Sequence, residues 1–211
     1  MKAVLISIHP YWCELIASGE KVLEIRKTRP KLETPFKVYI YCTNTRPYLV
    51  WGDVFRGDWE TEFTHISGYS REQAEKIWDV FNGHIIGEFT CDYIFEITAN
   101  YEIHNELPGS PIETWLEWND APDGYETMNE LGKASRLSYE ELKCYVGTKG
   151  GYGWHISNLK IYDSPLDLSN FFHACEKPSE QNCSVCEESG KVSCKQLRHA
   201  PQSWCYVIDV S

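Results

Sequence analysis

The sequence predicts an α+β protein in which strands predominate and short helices lie between them. The clearest strand runs from Phe36 to Thr43, where apolar side chains alternate with aromatic and polar ones. This alternation is typical of a strand with one buried face. The stretches Lys2–Ile8 and Ile85–Ile97 are also rich in strand-forming residues, whereas the helical patterns between them are short.

The first helix and the strand after it are defined by their boundary residues. Pro10 suits a first helical position, and Gly19 fits a left-handed C-cap, so we expect a helix over 10–18. A strand from Val22 to about Thr28 follows, with alternating faces. Its apolar face carries Leu23 and Ile25, and its opposite face carries Glu24 and Arg26.

The remaining elements are also predicted from capping residues and periodicity. Ser70 and Ser138 are N-caps for helices over 71–81 and 139–146. One long strand is expected over 85–97, bent near Gly87 and Glu88. We also expect a loop-rich stretch over 100–135 with a helical turn or two at 111–119, a glycine loop at 150–153, and strands over 154–162 and 202–209.

The motif Gly19-x-Lys21-x-x-Glu24-x-Arg26, placed after a strand and a short helix, resembles a known family. It is similar to the activating-signal-cointegrator homology (ASCH) domain, a branch of the PUA-like superfamily. The resemblance implies a small mixed β-barrel of about five or six strands, flanked by short helices. It also implies an RNA- or nucleotide-sized cleft over the motif.

The resemblance covers only part of the chain. The matching stretches are Lys2–Thr43, Ile85–Ile97, Gly150–Tyr162 and Gln202–Val210. We therefore expect a single domain over 1–211, the natural prior for this length. It would carry insertions at 44–82 and 100–136 and a Cys-rich insertion at 174–199.

Two interpretations of Lys21, Glu24 and Arg26 remain open from the spacing. They form either a surface ion cluster of small energetic weight or part of a ligand site. The resemblance favours the ligand site, in an RNA- or nucleotide-binding module. Arg26 would grip a phosphate or a base edge through its planar fork. Glu24 would accept from a base amino group or hold the two cations in place.

Two other classes of function stay open, an enzyme and a protein-interaction adaptor that uses the insertions. Relatives in the superfamily hydrolyse acylated cytidine nucleosides, and others cleave RNA, so Lys21 and Glu24 are the catalytic candidates. In the amidohydrolase branch, however, a threonine stands where this chain has Glu24. A carboxylate beside Lys21 favours the charged ammonium, which favours binding over base catalysis.

A second candidate region is the glycine-rich stretch that ends at His155. Tyr152 or Trp154 would stack on a base, and His155 would hydrogen-bond a ligand. The alternative is a glycine turn with core aromatics and a structural histidine. Ser7 and His9, at the end of the first strand, allow the same two interpretations.

The cysteines of the carboxy-terminal third predict a structural zinc site. Cys175, Cys183, Cys186 and Cys194 have Cys-x7-Cys-x2-Cys-x7-Cys spacing, with His199 as a substitute ligand. Four such ligands suit tetrahedral zinc, which would order a segment poor in large apolar residues. Free thiols in a disordered loop are the alternative.

Charge and composition limit the class of partner. The net charge of −11 argues against binding a long duplex, which needs many phosphate contacts, and leaves room for a compact ligand. The first apolar run is too short for an export signal or a membrane span. With nine cysteines and no signal, we expect a cytoplasmic protein in a reducing compartment.

Overall fold

Strands outnumber helices in the structure, a computed structural model, so the predicted α+β, mostly β class is confirmed. The structure describes residues 2–51, 63–66, 68, 70–76, 79–103, 112–118, 121, 124–125, 127–174 and 195–210. The strands are β1 (Lys2–Ile8), β2 (Leu23–Arg26), β3 (Phe36–Cys42), β4 (Tyr48–Trp51), β5 (Phe63–Ile66), β6 (Ile85–Cys91), β7 (Ile94–Ile103), β8 (Ile112–Glu117), β9 (Gly151–His155), β10 (Ser157–Leu166) and β11 (Trp204–Ile208). The helices are α1 (Pro10–Ala17), α2 (Arg71–Glu75), α3 (Met128–Ser135) and α4 (Tyr139–Val146).

The chain divides into two compact units. The first contains Met1–Gly19, Phe36–Thr90 and Asn158–Ser211, and the second contains Glu20–Pro35 and Cys91–Ser157. The prediction of one domain with three insertions stays a prediction.

The first unit is built on a five-stranded sheet with the order β10-β6-β3-β1-β11. The central strand β1 runs parallel to β3 and antiparallel to β11, with Leu5 opposite both Tyr39 and Cys205. From Ala3 to Ile8 every residue of β1 is buried, as expected for a strand covered on both faces. One core cluster of this unit comprises Ala3, Leu5, Tyr39, Ile85, Phe171, Leu197 and Val207.

The hairpin of β4 and β5 also lies in the first unit, held by a buried asparagine. Asn82 is fully buried, and its side-chain oxygen accepts a hydrogen bond from the backbone N–H of Leu49 at 2.7 Å. Its Nδ2 donates to the carbonyls of Thr45 and Pro47, at 2.5 and 3.1 Å. The three bonds satisfy one backbone group of β4 and two in the segment that precedes it.

The second unit is built on a four-stranded sheet with the order β2-β9-β7-β8. β9 lies between β2 and β7 and is antiparallel to both, so that Tyr152 is opposite Arg26 on one side and Glu96 on the other. One face of the sheet packs on α3 and α4. That core contains Leu23, Ile25, Phe95, Ile97, Leu116, Leu131, Leu142 and Val146.

The helices of the second unit begin at capping boxes. The Ser138 side chain accepts from the Glu141 backbone N–H, and the Glu141 carboxylate accepts from the Ser138 backbone N–H. Thr127 and Glu130 do the same at α3. Such reciprocal bonds satisfy donors that the first helical turn leaves unpaired.

The described strands do not close into a barrel but pair in two larger sheets and a hairpin. The predicted strand over 85–97 is interrupted at Asp92 and Tyr93. As a result, β6 joins the first unit's sheet, whereas β7 joins the second's. Alternation along a sequence defines buried faces but not which sheet a strand joins.

The stretches predicted to be irregular contain regular structure. β4 and β5 lie within 44–68, and α3 lies within the stretch expected to be loop. The helical turns expected at 111–119 are wrong, because β8 occupies 112–117 as a strand paired with β7. The glycine loop at 150–153 is also largely strand, as part of β9. No helix in the described part of the chain is both long and apolar enough to cross a membrane.

Candidate functional site

The motif side chains Lys21, Glu24 and Arg26, at and just before β2, form a buried ion triad. Lys21 Nζ lies 3.3 Å from Glu24 Oε2, and Arg26 Nε lies 2.9 Å from Glu24 Oε1. The three residues are only 3%, 6% and 8% exposed. Glu24 therefore holds both cations in place. This is one of the two roles that the family resemblance implies for Glu24.

The ammonium of Lys21 also donates to two backbone carbonyls. Its Nζ lies 2.8 Å from the oxygen of Leu23 and 2.7 Å from that of Ser135 at the end of α3. With Glu24, these acceptors match the three donors of an ammonium group. Lys21 thus links the motif strand to α3 inside the protein.

Burial controls the protonation of Lys21. Desolvation lowers its pKa from the ordinary 10.5, and the nearby Glu24 carboxylate acts in the opposite direction. A lowered pKa is one requirement of a general base. The other requirement is access to a substrate proton, and a side chain 3% exposed with protein acceptors around it does not provide that access.

Exposed cations follow the triad directly along the chain. Lys27, Arg29 and Lys31 are all exposed, and no acidic residue lies between Glu24 and Glu33 in the sequence. We call these three residues the basic strip. Lys27 Nζ lies 5.3 Å from the ring centre of Tyr145, itself 39% exposed, a cation–π arrangement. The run of basic residues was visible in the sequence, but its exposure was not.

The two aromatic candidates of β9 have different positions. Tyr152 is half-buried and lies in register with Arg26, as an adjacent cross-strand neighbour. Trp154 is fully buried in register with Glu24, so it belongs to the core. Between them, Gly153 leaves room for Phe95, whose ring atom Cζ would lie 2.5 Å from an added Cβ.

His155 forms a polar and aromatic cluster with two residues that the sequence did not single out. Its Nδ1 shares a 2.6 Å hydrogen bond with Asp92 Oδ1. Its ring stacks on Tyr93, with centroids 4.4 Å apart and planes 7° from parallel. The carboxylate and the stack fix the imidazole orientation, as an orienting partner does for a catalytic or ligand-binding histidine.

Ser7 and His9 lie in the first unit, where both serve local structure. Ser7 Oγ donates to the carbonyl of Pro201 at 2.6 Å. His9 is the N-cap of α1, and its Nδ1 accepts from the backbone N–H of Tyr11. Both side chains therefore make hydrogen bonds to nearby backbone groups.

The predicted zinc ligands Cys175, Cys183, Cys186 and Cys194 lie outside the described residues, and His199 is exposed. Within the described ranges, no group of three or more His, Cys, Asp or Glu side chains is arranged to hold a metal ion. The zinc site remains a prediction.

No family model matches the chain, and no curated protein matches it. Among solved structures, ASCH from Zymomonas mobilis is similar at 15% identity with a TM-score of 0.44, covering 97% of this chain and 86% of that one. A tyrosine-to-phenylalanine variant of the Zymomonas protein gives 16% identity and the same TM-score, with coverages of 98% and 90%. Both structures are named for ASCH, the family that the motif resembles. A likeness of this degree is no evidence about activity.

Proposed function

We propose that the chain is an ASCH-type domain that binds a nucleotide or a short single-stranded RNA along the basic strip and the adjacent Tyr145. The observation that carries the proposal is the position of the strip. Three exposed cations follow the buried Glu24–Arg26 pair without an intervening acid. In a chain of net charge −11, such a local concentration of positive charge favours a phosphate-bearing ligand.

The triad acts as the support of this surface. Glu24 binds Arg26 Nε and Lys21 Nζ, and Lys21 connects the strand to α3. The strip therefore begins at a fixed strand end, which lowers the entropy lost when a ligand orders it. Tyr145 adds an exposed aromatic ring beside Lys27. Cations interleaved with aromatic rings are typical of proteins that bind single strands.

Salt-dependent binding tests the proposal. Labelled oligouridine and oligocytidine of several lengths would be titrated with the protein between about 50 and 200 mM salt. The triple variant Lys27→Ala, Arg29→Ala and Lys31→Ala removes the strip. Each lost phosphate contact should reduce the slope of log K against log salt by about 0.7, so we expect a reduction of about 2.

The matched control removes equal charge elsewhere. Lys133, Lys160 and Arg198 are exposed, and their triple alanine variant has the same net charge as the strip variant. We expect it to retain most of the slope. Equal losses in the two variants would mean that net charge alone attracts RNA. Absence of binding to any nucleotide or oligonucleotide would overturn the proposal.

One observation favours a second candidate, a ribonuclease. The Asp92–His155 hydrogen bond and the stack on Tyr93 orient an imidazole that is partly exposed, the arrangement that a general base requires. Cleavage of a labelled oligonucleotide, lost in both His155→Ala and Asp92→Asn, would support this candidate. Cleavage that survives in His155→Ala would exclude His155 as the general base.

A further inference from the structure

An exposed indole lies on the second unit's sheet, on the face opposite α3 and α4. Trp115 of β8 is 36% exposed, one of few large apolar side chains exposed in the described part of the chain. The next residue, Leu116, is buried in the core that the sheet forms with the two helices. Because successive strand residues point to opposite faces, Trp115 points away from those helices.

The strand register places four polar residues on the same face as Trp115. Asn100 is directly opposite Trp115, and Thr98 is directly opposite Glu117. Glu96 lies two positions before Thr98 and shares its alternation. Glu96, Thr98 and Glu117 are exposed, and Asn100 is half-buried. The indole therefore lies among carboxylates and other hydrogen-bonding groups on a surface open to solvent.

Trp115 and Glu117 are joined by a hydrogen bond. The indole Nε1 donates to Glu117 Oε1 at 2.9 Å, which restrains the ring. A carboxylate has a second oxygen that accepts further hydrogen bonds. The π face of an indole attracts cations, and a guanidinium also stacks on it. The pair thus offers an arginine both a ring to stack on and an acceptor for its N–H groups.

The charge of the two strands has one sign. β7 and β8 contain four glutamates and no lysine or arginine, and Glu102 is directly opposite Glu113 in the register. Like charges at directly opposed positions destabilise a strand pair, and a bound cation would relieve that repulsion. The strand pair therefore favours a positively charged partner. The net charge of −11 would steer such a partner toward the protein.

The spacing of the face matches an extended peptide. Residues two apart on a strand are separated by about 6.6 Å, at a rise of about 3.3 Å per residue, and alternate residues of an extended peptide have the same spacing. Glu96 and Glu117 are diagonal neighbours across the two strands, about 7–8 Å apart. Two cations at alternate positions of one peptide can therefore contact both glutamates.

We propose that this face is a docking surface for an extended, arginine-containing segment of another protein. One arginine stacks on Trp115 and donates to Glu117, and a second cation pairs with Glu96. The surface shares no residue with the basic strip, and its partner has the opposite charge to the ligand proposed there. The inference therefore goes beyond the proposed function and does not depend on it.

Peptides that alternate glycine with one other residue test the proposal. Labelled octapeptides of glycine with arginine, lysine or glutamine would be titrated with the full chain between about 50 and 150 mM salt, followed by fluorescence anisotropy. We expect the arginine peptide to bind several-fold more tightly than the lysine peptide, because a guanidinium stacks and bonds a carboxylate through two parallel hydrogen bonds. The glutamine peptide should not bind. Equal binding of the arginine and lysine peptides would overturn the proposal, because charge alone would explain it.

Variants of the face locate the binding. Trp115→Ala should weaken binding of the arginine peptide about fivefold. Trp115→Phe keeps a ring and should retain most of the affinity, which separates lost stacking from lost folding. Glu96→Gln combined with Glu117→Gln should weaken binding about tenfold. The matched control, Glu33→Gln combined with Asp79→Asn, removes the same charge at exposed positions and should change the affinity less than about twofold. Unchanged affinity in Trp115→Ala, or equal losses in the two double variants, would overturn the proposal.

Sedimentation of the chain alone tests the other occupant of the face. We expect a monomer. A dimer that dissociates in Trp115→Ala would mean that a second copy covers the face, and would overturn the proposal. The strip variant, Lys27→Ala with Arg29→Ala and Lys31→Ala, should bind the arginine peptide at least as tightly as the wild type, because it lacks three repelling charges. Absence of RNA binding would leave this inference intact, and absence of peptide binding would leave the proposed function intact.

Discussion

Lys21 Nζ donates a hydrogen bond of 2.7 Å to the backbone carbonyl of Ser135, which lies 114 positions further along the chain. The bond joins the motif strand to the last residue of α3. The bond gives the buried lysine an internal acceptor. We therefore expect the loss of Lys21 to lower the free energy of unfolding.

We predict that Lys21→Met lowers the free energy of unfolding by about 2–5 kcal/mol. The carbonyls of Leu23 and Ser135 lose their ammonium donor, at about 1–3 kcal/mol for each buried acceptor left unsatisfied. Urea denaturation followed by circular dichroism measures the change. Lys133→Met, at an exposed position of α3, should cost less than about 0.5 kcal/mol. Similar losses in the two variants would contradict the buried role of Lys21.

We predict that Glu24→Gln destabilises the protein by about 3–5 kcal/mol, because it leaves two buried cations without their carboxylate. Arg26→Lys should cost less than Glu24→Gln, since an ammonium at position 26 still offers a cation to Glu24. Denaturation of both variants at one pH gives the comparison. A Glu24→Gln variant as stable as the wild type would show that the triad contributes nothing.

The pH dependence of Glu24→Gln should also differ. Burial lowers the pKa of Lys21. Between that lowered value and the ordinary 10.5 the folded state therefore binds fewer protons than the unfolded state, and this group makes stability rise with pH. Glu24 opposes the lowering. The glutamine variant should therefore recover more stability than the wild type as the pH rises toward 10.5. Parallel stability curves would contradict this assignment.

We predict that Ser138→Ala destabilises the protein by about 1 kcal/mol, the usual cost of a lost N-cap. Hydrogen bonds from Ser138 lower the pKa of Glu141 from its ordinary 4.5. The contribution of Glu141 is therefore present above that value and is lost as pH falls through the lowered one. The difference between Ser138→Ala and the wild type should shrink in acid. Glu140→Gln, outside the capping box, provides the control for stability.

We predict that Asn82→Ala costs about 2–4 kcal/mol, because three backbone groups of the stretch 45–49 lose their partner,. Thermal denaturation measures the loss, and limited proteolysis should cleave this stretch faster. Asn129→Ala, at an exposed position, should leave both unchanged. A proteolysis pattern identical to the wild type would show that Asn82 does not hold the stretch.

Local features of the fold could be predicted from the sequence because neighbouring residues decide them. Pro10 begins α1, and Gly19 adopts the left-handed conformation, with φ of +74°. Ser138 caps α4, which ends at Gly147. The alternation on β2 also placed Glu24 and Arg26 on one face, where the ion pair forms.

The sheet memberships and the burial of the motif were decided by tertiary structure. The sequence alone determined that Glu24 and Arg26 lie near each other, because a strand projects alternate residues to one side. The carbonyl of Ser135 reaches Lys21 from a helix that the sequence did not reveal, and all three motif side chains are buried. Periodicity reports which faces are apolar, whereas the partners of a polar side chain depend on segments far apart in the chain.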